Sequence, residues 1–191
     1  MTIGAVVTGA GNGDDLVRRA RRDAQSLGQL YDRHYAGVFR YCVHRLFVRE
    51  AAEDVTSQVF LHVAEQIRSF SGSTEADFRN WLYAIAGNQA NAYLRKRARR
   101  KALLEAAARQ GRIAVKAGSD CPGELDWPKL YEAIAALSPR EQTIVTLRSF
   151  EGWPFEQIAA ALEIKPVTAR VAFSRALKKL RARLAKSLGR A

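Results

Sequence analysis

The chain has 191 residues, with 31 Lys and Arg against 19 Asp and Glu, for a formal net charge of +12. That length allows one ordinary domain or two small ones, and the excess of positive charge favours a polyanionic partner, nucleic acid first and an anionic membrane surface second. Cys42 and Cys121 lie too far apart for a zinc site or a disulfide framework, and no apolar segment approaches the roughly 20 residues that span a bilayer.

The first part of the chain predicts a tail followed by three helices. Residues 1–24 begin Gly-rich and end in mixed charge without periodicity, so we expect a flexible N-terminal tail. Two amphipathic stripes at helical spacing follow it. The first contains Leu30, Tyr31, Val38, Cys42 and Leu46, and the second contains Val55, Val59, Val63 and Ile67. A break at residues 69–77 then offers Thr74 with Asp77 as an N-cap for the third helix.

The third helix changes character along its length. Its first half, from Phe78 to Tyr93, has an apolar stripe in which Trp81 is expected to be core. Its second half includes RKRARRK at residues 95–101, six basic residues in seven positions. A basic segment of this kind requires a negatively charged partner, although a solvated face or a nonspecific tether would have the same composition.

A linker and a second helical region complete the chain. Periodicity fades over residues 104–126, where GSDCPGELD has the composition of an exposed connection. Ser138 and Glu141 form a predicted capping box with Pro139 at the first helical position. The sequence therefore predicts an all-α fold: two small helical domains, residues 25–103 and 127–191, joined by a flexible linker.

The last domain has the pattern of a helix-turn-helix. Phe155, Ile158 and Leu162 lie on one short apolar face, a turn occupies residues 163–165, and a longer amphipathic helix follows. From Lys165 to the end there are nine Lys or Arg and no Asp or Glu, which favours contact with phosphates over a solvated helical hairpin. The residues predicted to face DNA are Thr168, Arg170, Val171, Ser174, Arg175 and Lys178.

Four motifs resemble a known family. They are LYDRHYAGVFRYC at 30–42, AEDVTSQVFLHV at 52–63, FRNWLYAIAGNQANAYLRKRARR at 78–100, and ALSPREQTIVTLRSFEGWPFEQIAAAL at 136–162. Together, in this order and with a linker between them, they are similar to the sigma factors of bacterial RNA polymerase. The chain resembles the sigma-70 family, in the extracytoplasmic-function (ECF) class that keeps only conserved regions 2 and 4.

The resemblance implies a role for each domain. The region 2 domain would bind core RNA polymerase through Asp54, Ser57, Gln58 and Phe60. It would also recognise and melt the downstream promoter element, with a base drawn into a pocket formed by the loop of residues 71–75 and Asn88. The region 4 domain would contact the upstream element. The predicted downstream DNA contacts are Ser71, Gly72, Ser73, Asn88, Arg95, Lys96, Arg97, Arg99 and Arg100.

The recognition helix departs from the family pattern. It contains TARVAFSRA where the pattern is near TVKSRLSRA, so that Val171 and Ala172 replace a polar pair. An outward Val171 could contact a thymine methyl group, which leads to the hypothesis of an altered upstream preference.

Two other functions compete with this one. A stand-alone helix-turn-helix regulator would explain the charge and the last domain, but not the motifs at 52–63 and 78–100. The second alternative is an enzyme that acts on nucleic acid. The sequence contains no recognisable set of metal ligands, no nucleophile with its base and no P-loop, so we expect no catalytic or metal-binding residues and no cofactor. The expected partners are core polymerase and promoter DNA, with an anti-sigma factor as a further candidate. The expected location is the bacterial cytoplasm without membrane insertion, and the nucleoid when the protein is active.

Overall fold

The computed structural model describes residues 10–109 and 127–187, and within those ranges it contains helices and no strand. The helices are α1 (Ala10–Ala20), α2 (Ala24–Leu46), α3 (Arg49–Gln66), α4 (Glu75–Arg109), α5 (Trp127–Ala135), α6 (Pro139–Ser149), α7 (Phe155–Ala161) and α8 (Pro166–Ser187). The predicted all-α fold class is confirmed.

The first domain forms because three amphipathic helices bury their predicted stripes against one another. Asp23 begins α2 by accepting hydrogen bonds from the backbone N–H groups of Gln25 and Ser26, at 3.1 and 2.9 Å. The whole second stripe is buried, on α3 and on the short 3-10 helix that follows it (Ile67–Ser69), in the same core cluster as Phe78 and Leu82 of α4. Tyr31 is the exception in the first stripe, because 42% of it is exposed.

Helix α1 corrects the expectation of a flexible tail over residues 1–24. Leu16, Val17 and Ala20 are almost completely buried and pack into the core of the first domain. Three small or medium apolar residues among Gly, Asn and charged residues make a weak periodic signal, and the helix depends on tertiary packing. Residues 1–9 lie outside the described residues.

Helix α4 is one continuous helix of 35 residues, about 50 Å long. It includes both the apolar stripe and the basic run that the sequence assigns to a single helix. It continues to Arg109, so the first residues of the predicted linker, 104–109, are helical, and the remainder, 110–126, lies outside the described residues.

The second domain begins α6 with the predicted capping box. The Ser138 hydroxyl accepts from the Glu141 backbone N–H at 3.3 Å, and the Glu141 carboxylate accepts from the Ser138 backbone N–H at 2.9 Å. Helices α7 and α8 form the helix-turn-helix, and Glu163 in their turn has a left-handed φ of 52°. Pro166 is the first residue of α8, whereas Pro154 occupies the N-cap position of α7.

The two domains pack directly against each other. The Glu151 carboxylate, with 2% of its side chain exposed, accepts from Arg40 Nη2 at 2.7 Å and from Arg40 Nε at 3.2 Å. The Trp153 ring lies 4.6 Å from the Tyr83 ring, centroid to centroid. Arg45 of α2 is buried, and it donates to Asn91 Oδ1 at 2.6 Å and to Gln142 Oε1. These contacts between α2 or α4 and the second domain form the interdomain interface.

The substitution Arg45→Met should destabilise the protein. It keeps much of the volume but leaves two acceptors, on Asn91 and Gln142, without their donor in a buried site, so we expect a loss of about 2–4 kcal/mol. Urea unfolding would measure the change. Arg22→Met, at an exposed position, is the matched control, with an expected change below about 0.5 kcal/mol. Equal effects of the two substitutions would contradict the assigned role of Arg45.

Cys42 should be unreactive in the folded protein. Burial raises the pKa of its thiol to about 11, so the thiolate that reacts with alkylating agents is scarce below that pH. In a Cys121→Ser background we expect no iodoacetamide labelling at pH 8 in buffer and rapid labelling in concentrated urea. Mass spectrometry would measure the modified fraction. Labelling at the same rate in both solutions would show that this thiol is accessible.

Candidate polymerase and nucleic-acid interfaces

One exposed face of α3 contains three of the residues predicted to contact polymerase. Asp54, Ser57 and Gln58 are exposed and follow one another at helical spacing, i, i+3 and i+4. Phe60 does not share this face, because only 9% of it is exposed and its ring lies 4.7 Å from the Tyr31 ring. The prediction that Phe60 faces the polymerase is therefore corrected. Leu61, seven residues after Asp54 and 62% exposed, lies on this face instead.

The loop of residues 71–75, called the downstream loop below, has an ordered backbone and exposed hydroxyl side chains. Asp77 accepts from the backbone N–H groups of Ser73 and Thr74, both at 3.1 Å, and Thr74 Oγ1 accepts from the Asp77 N–H at 3.0 Å. These bonds form the predicted N-cap, and the Thr74 hydroxyl lowers the pKa of Asp77. Ser71 and Ser73 are exposed.

Gly72 lies in a space that allows no side chain. A Cβ atom at this position would approach Asp77 Cβ at 2.6 Å and would also collide with the Phe70 ring. The Phe70 ring stacks on Trp81 with centroids 4.7 Å apart, so the loop rests on an aromatic pair and Trp81 packs against the core as predicted.

Asn88 is not part of the pocket that the downstream loop could form. It lies 13 residues after Glu75 on the same helix, which corresponds to a distance of about 20 Å along the helix axis. Its side chain is exposed and lies in a groove between α4 and the second domain, which Gly87, Pro139 and Thr143 also line. The predicted shared pocket is therefore corrected: the structure does not bring Asn88 and the loop together.

The basic segment occupies the second half of α4. Its predicted DNA contacts, Arg95, Lys96, Arg97, Arg99 and Arg100, are all exposed. No Asp or Glu occurs between residues 78 and 104, so no carboxylate lies three or four residues from any of these five. Their charges lie around the helix and are suited to contacts with a polyanion.

The recognition helix α8 exposes all six predicted residues. Ala169, Ala176 and Leu180 are buried, and Thr168, Arg170, Val171, Ser174, Arg175 and Lys178 lie on the exposed side. Arg170 Nη2 lies 3.6 Å from the Glu156 carboxylate, and its guanidinium lies 5.4 Å from the centre of the Phe155 ring. Val171 is 43% exposed and borders a shallow cleft with Val167 and Arg175.

The described residues contain neither a metal-ligand cluster nor a helix that could span a membrane. Over residues 10–109 and 127–187, no group of three or more His, Cys, Asp or Glu could hold a metal ion. Within the same ranges, no helix is both long enough and apolar enough to cross a membrane.

Comparisons with known proteins agree with the resemblance noted in the sequence. The family model "Sigma-70 region 2" matches residues 30–100, and "Sigma-70, region 4" matches residues 128–180. The chain is 31% identical over 170 residues to the RNA polymerase sigma factor CarQ of Myxococcus xanthus, covering 86% of this chain and 93% of CarQ.

Two further similarities extend the comparison. The chain is 29% identical over 150 residues to the ECF RNA polymerase sigma factor BldN of Streptomyces coelicolor, covering 78% of this chain and 56% of BldN, so it spans little more than half of that relative. The crystal structure of the sigma factor RpoE with the anti-sigma factor NepR from Bartonella quintana has the same fold. Its TM-score is 0.56 and its identity is 20%, with coverage of 82% of this chain and 95% of RpoE.

The substitution Val171→Ser should change the preference of the second domain at one position of its DNA site. The valine presents methyl groups and the serine a donor and acceptor, so a preference for thymine, whose methyl group is apolar, should weaken about tenfold. Selection from promoter fragments randomised in the upstream element would measure this. Identical selection by both proteins would remove the proposed contact.

Proposed function

The chain belongs to the sigma-70 family of RNA polymerase sigma factors, in its ECF class, and from this premise we propose a role for each exposed surface. The protein is a promoter-directing transcription initiation factor. The observation that carries this conclusion is the match to both conserved regions, in order, on two helical domains. A stand-alone helix-turn-helix regulator is not favoured, because it leaves the region 2 domain without a function.

The exposed face of α3 is the proposed contact with core polymerase. Asp54, Ser57 and Gln58 supply polar groups, and Leu61 supplies an apolar side chain among them. Protein interfaces combine apolar contacts with surrounding polar ones, and this face offers both. Phe60 supports this face from below by packing against α2.

The downstream loop and the basic segment are the proposed contacts with the melted promoter element. Ser71 and Ser73 offer exposed hydroxyl groups on either side of Gly72. Extrusion costs a few kcal/mol, and hydrogen bonds to the base edge recover part of that cost only for the matching base. The five basic residues hold the phosphates of the strand through charge, without distinguishing bases.

Helix α8 is the proposed contact with the upstream element. Thr168, Arg170, Val171 and Ser174 lie nearest its N-terminal end, where a recognition helix contacts base edges. Arg175 and Lys178 lie further along α8, where they would contact the phosphates of the DNA backbone. The Arg170–Glu156 pair is exposed on both sides, so it contributes little and DNA can replace it.

The remaining partners follow from the same proposal. In this proposal polymerase supplies the catalysis, and the chain itself carries out no enzymatic step and uses no cofactor or metal. An anti-sigma factor is a proposed regulatory partner, as NepR is for RpoE in the structure that shares this fold. The proposed location is the bacterial cytoplasm, with association to the nucleoid in the active state.

Transcription from fragmented host DNA tests the function directly. Purified core polymerase is incubated with and without the chain, and all transcript starts are determined. We expect discrete starts that share two spaced upstream motifs. The double variant Asp54→Ala, Leu61→Ala should reduce both core binding and these starts by at least about tenfold, since it removes a charge and an apolar contact from one face. Glu132→Ala, an exposed position on α5, should change neither.

Two outcomes would contradict the proposal. If the chain binds a specific duplex tightly without polymerase and never binds the core enzyme, it acts as a separate regulator. If the α3 double variant binds the core normally while another surface is required, the assignment of α3 is wrong even though the family function remains.

A further inference from the structure

Helix α1 touches the downstream loop through two polar contacts. Asp14 Oδ1 accepts a hydrogen bond from the backbone N–H of Glu75 at 2.7 Å. The guanidinium of Arg21, immediately after α1, donates to the backbone carbonyl of Gly72 and lies 5.6 Å from the centre of the Phe70 ring. Both contacts join segments more than 50 residues apart in the sequence, so the packing of α1 against the domain brings these groups to the loop.

The contact with Glu75 serves as a second cap for α4. The first N–H groups of a helix have no partner within it, and the side chain of Thr74 satisfies only that of Asp77. Asp14 satisfies the N–H of Glu75 and places a negative charge at the positive end of the helix. The Glu75 carboxylate is itself held by Arg33 Nη1 at 3.1 Å, so both ends of this residue are fixed.

The close approach of α1 places Gly13 directly against the end of the Glu75 side chain. A Cβ atom on Gly13 would lie 2.8 Å from Cδ of Glu75. Leu16, Val17 and Ala20 bury the inner face of α1 in the core. Apolar packing therefore holds the helix in place, and Asp14 and Arg21 transmit that position to the loop.

The hydrogen bonds to the loop backbone divide between two sources. Asp77 holds the N–H groups of Ser73 and Thr74 from within the loop's own helix, while Arg21 holds the Gly72 carbonyl and Asp14 holds the Glu75 N–H from α1. The hydroxyl groups of Ser71 and Ser73 are left exposed. A shift of about 1 Å in the backbone would move these hydroxyl groups out of hydrogen-bonding range of a base.

We propose that α1 positions the downstream loop, and that Asp14 and Arg21 thereby help to determine which base of the promoter the loop prefers. This inference rests on the proposed function of the loop. Asp14 and Arg21 are positioning residues, because they act through the backbone at Gly72 and Glu75. Their loss allows the loop to adopt several shapes, so that non-preferred bases are accepted more readily.

Base discrimination at the downstream element is the measurement that tests this inference. The downstream element of one promoter identified by mapping transcript starts is randomised. Transcripts from templates with each base at each position are then counted for the wild-type protein, Asp14→Ala and Arg21→Ala. We expect the ratio of preferred to non-preferred base to fall about tenfold, the factor that corresponds to one lost hydrogen bond of moderate strength. Core affinity and upstream preference should not change.

Matched controls separate this effect from a change in charge or folding. Asp15→Ala and Arg22→Ala remove the same charges one residue away, at exposed positions, and should keep the wild-type ratio. Asp14→Asn retains an acceptor and Arg21→Lys retains a donor, so both should remain within about threefold of wild type. Thermal unfolding of each variant confirms that it is folded at the assay temperature. If an alanine variant is unfolded there, the conservative variants are compared with the double variant Asp14→Asn, Arg21→Lys, in which discrimination should fall further.

The outcomes distinguish this inference from the function on which it rests. If Ser71→Ala or Ser73→Ala alters base preference while Asp14→Ala and Arg21→Ala do not, the loop recognises the base but α1 does not position it. If the α1 variants reduce transcription equally for all bases, α1 has only a structural role. If the loop variants also leave base preference unchanged, the downstream loop is not the recognition site, and both proposals fall.

Discussion

The continuity of α4 is the constraint on which the downstream DNA surfaces depend. Its first half is fixed in the core by Phe78, Leu82 and Ala86, all fully buried. The downstream loop ends at its first residue, Glu75, and the basic segment occupies its exposed second half. Because a helix of this length is a stiff rod, fixing one half fixes the direction of the other. The loop and the basic segment, the two proposed DNA contacts of this domain, therefore keep a constant separation without any contact between them.

Charged groups buried at the interdomain interface affect the relative orientation of the two domains more than the free energy of their association. Moving the Glu151 carboxylate and the Arg45 guanidinium out of water is costly, and their partners return that cost only in one arrangement. Gln142 strengthens the requirement, because it accepts from Arg45 while donating to the carbonyl of Leu137 at 2.9 Å. The turn between α5 and α6 is thus coupled to α2 of the other domain. A shift of either domain would leave several buried polar groups without partners.

Local signals predicted the parts of this fold that depend on neighbouring residues. The stripe of Val55, Val59, Val63 and Ile67 and the capping box of Ser138 followed from periodicity and from short-range hydrogen bonds. Helical geometry also distinguishes the buried Phe60 from the exposed Leu61. Phe60 lies about 240° around the helix from Asp54, whereas Leu61 lies within about 20°, so the wheel alone favours Leu61. The separation of Asn88 from the loop follows from the same rise per residue.

The interactions that escaped prediction all join distant segments. Nothing in the sequence around Asp14 or Arg21 shows that their partners are the backbone groups of Glu75 and Gly72. A backbone group has no sequence signature, and the small apolar face of α1 is stable only against the rest of the domain. Glu151 shows no sign of burial either, because its partner Arg40 belongs to the other domain.

The interdomain interface also determines what DNA binding must overcome. Trp153, Ile158 and Ala159 of the helix-turn-helix region belong to the same buried cluster as Leu82 of α4, and Arg79 lies 5.5 Å over the Trp153 ring. In this arrangement α8 and the downstream loop belong to domains that are packed against each other. If promoter DNA engages both proposed contacts at a different separation, the Arg40–Glu151 and Trp153 contacts must break first. The free energy of the interface is then subtracted from the free energy of binding.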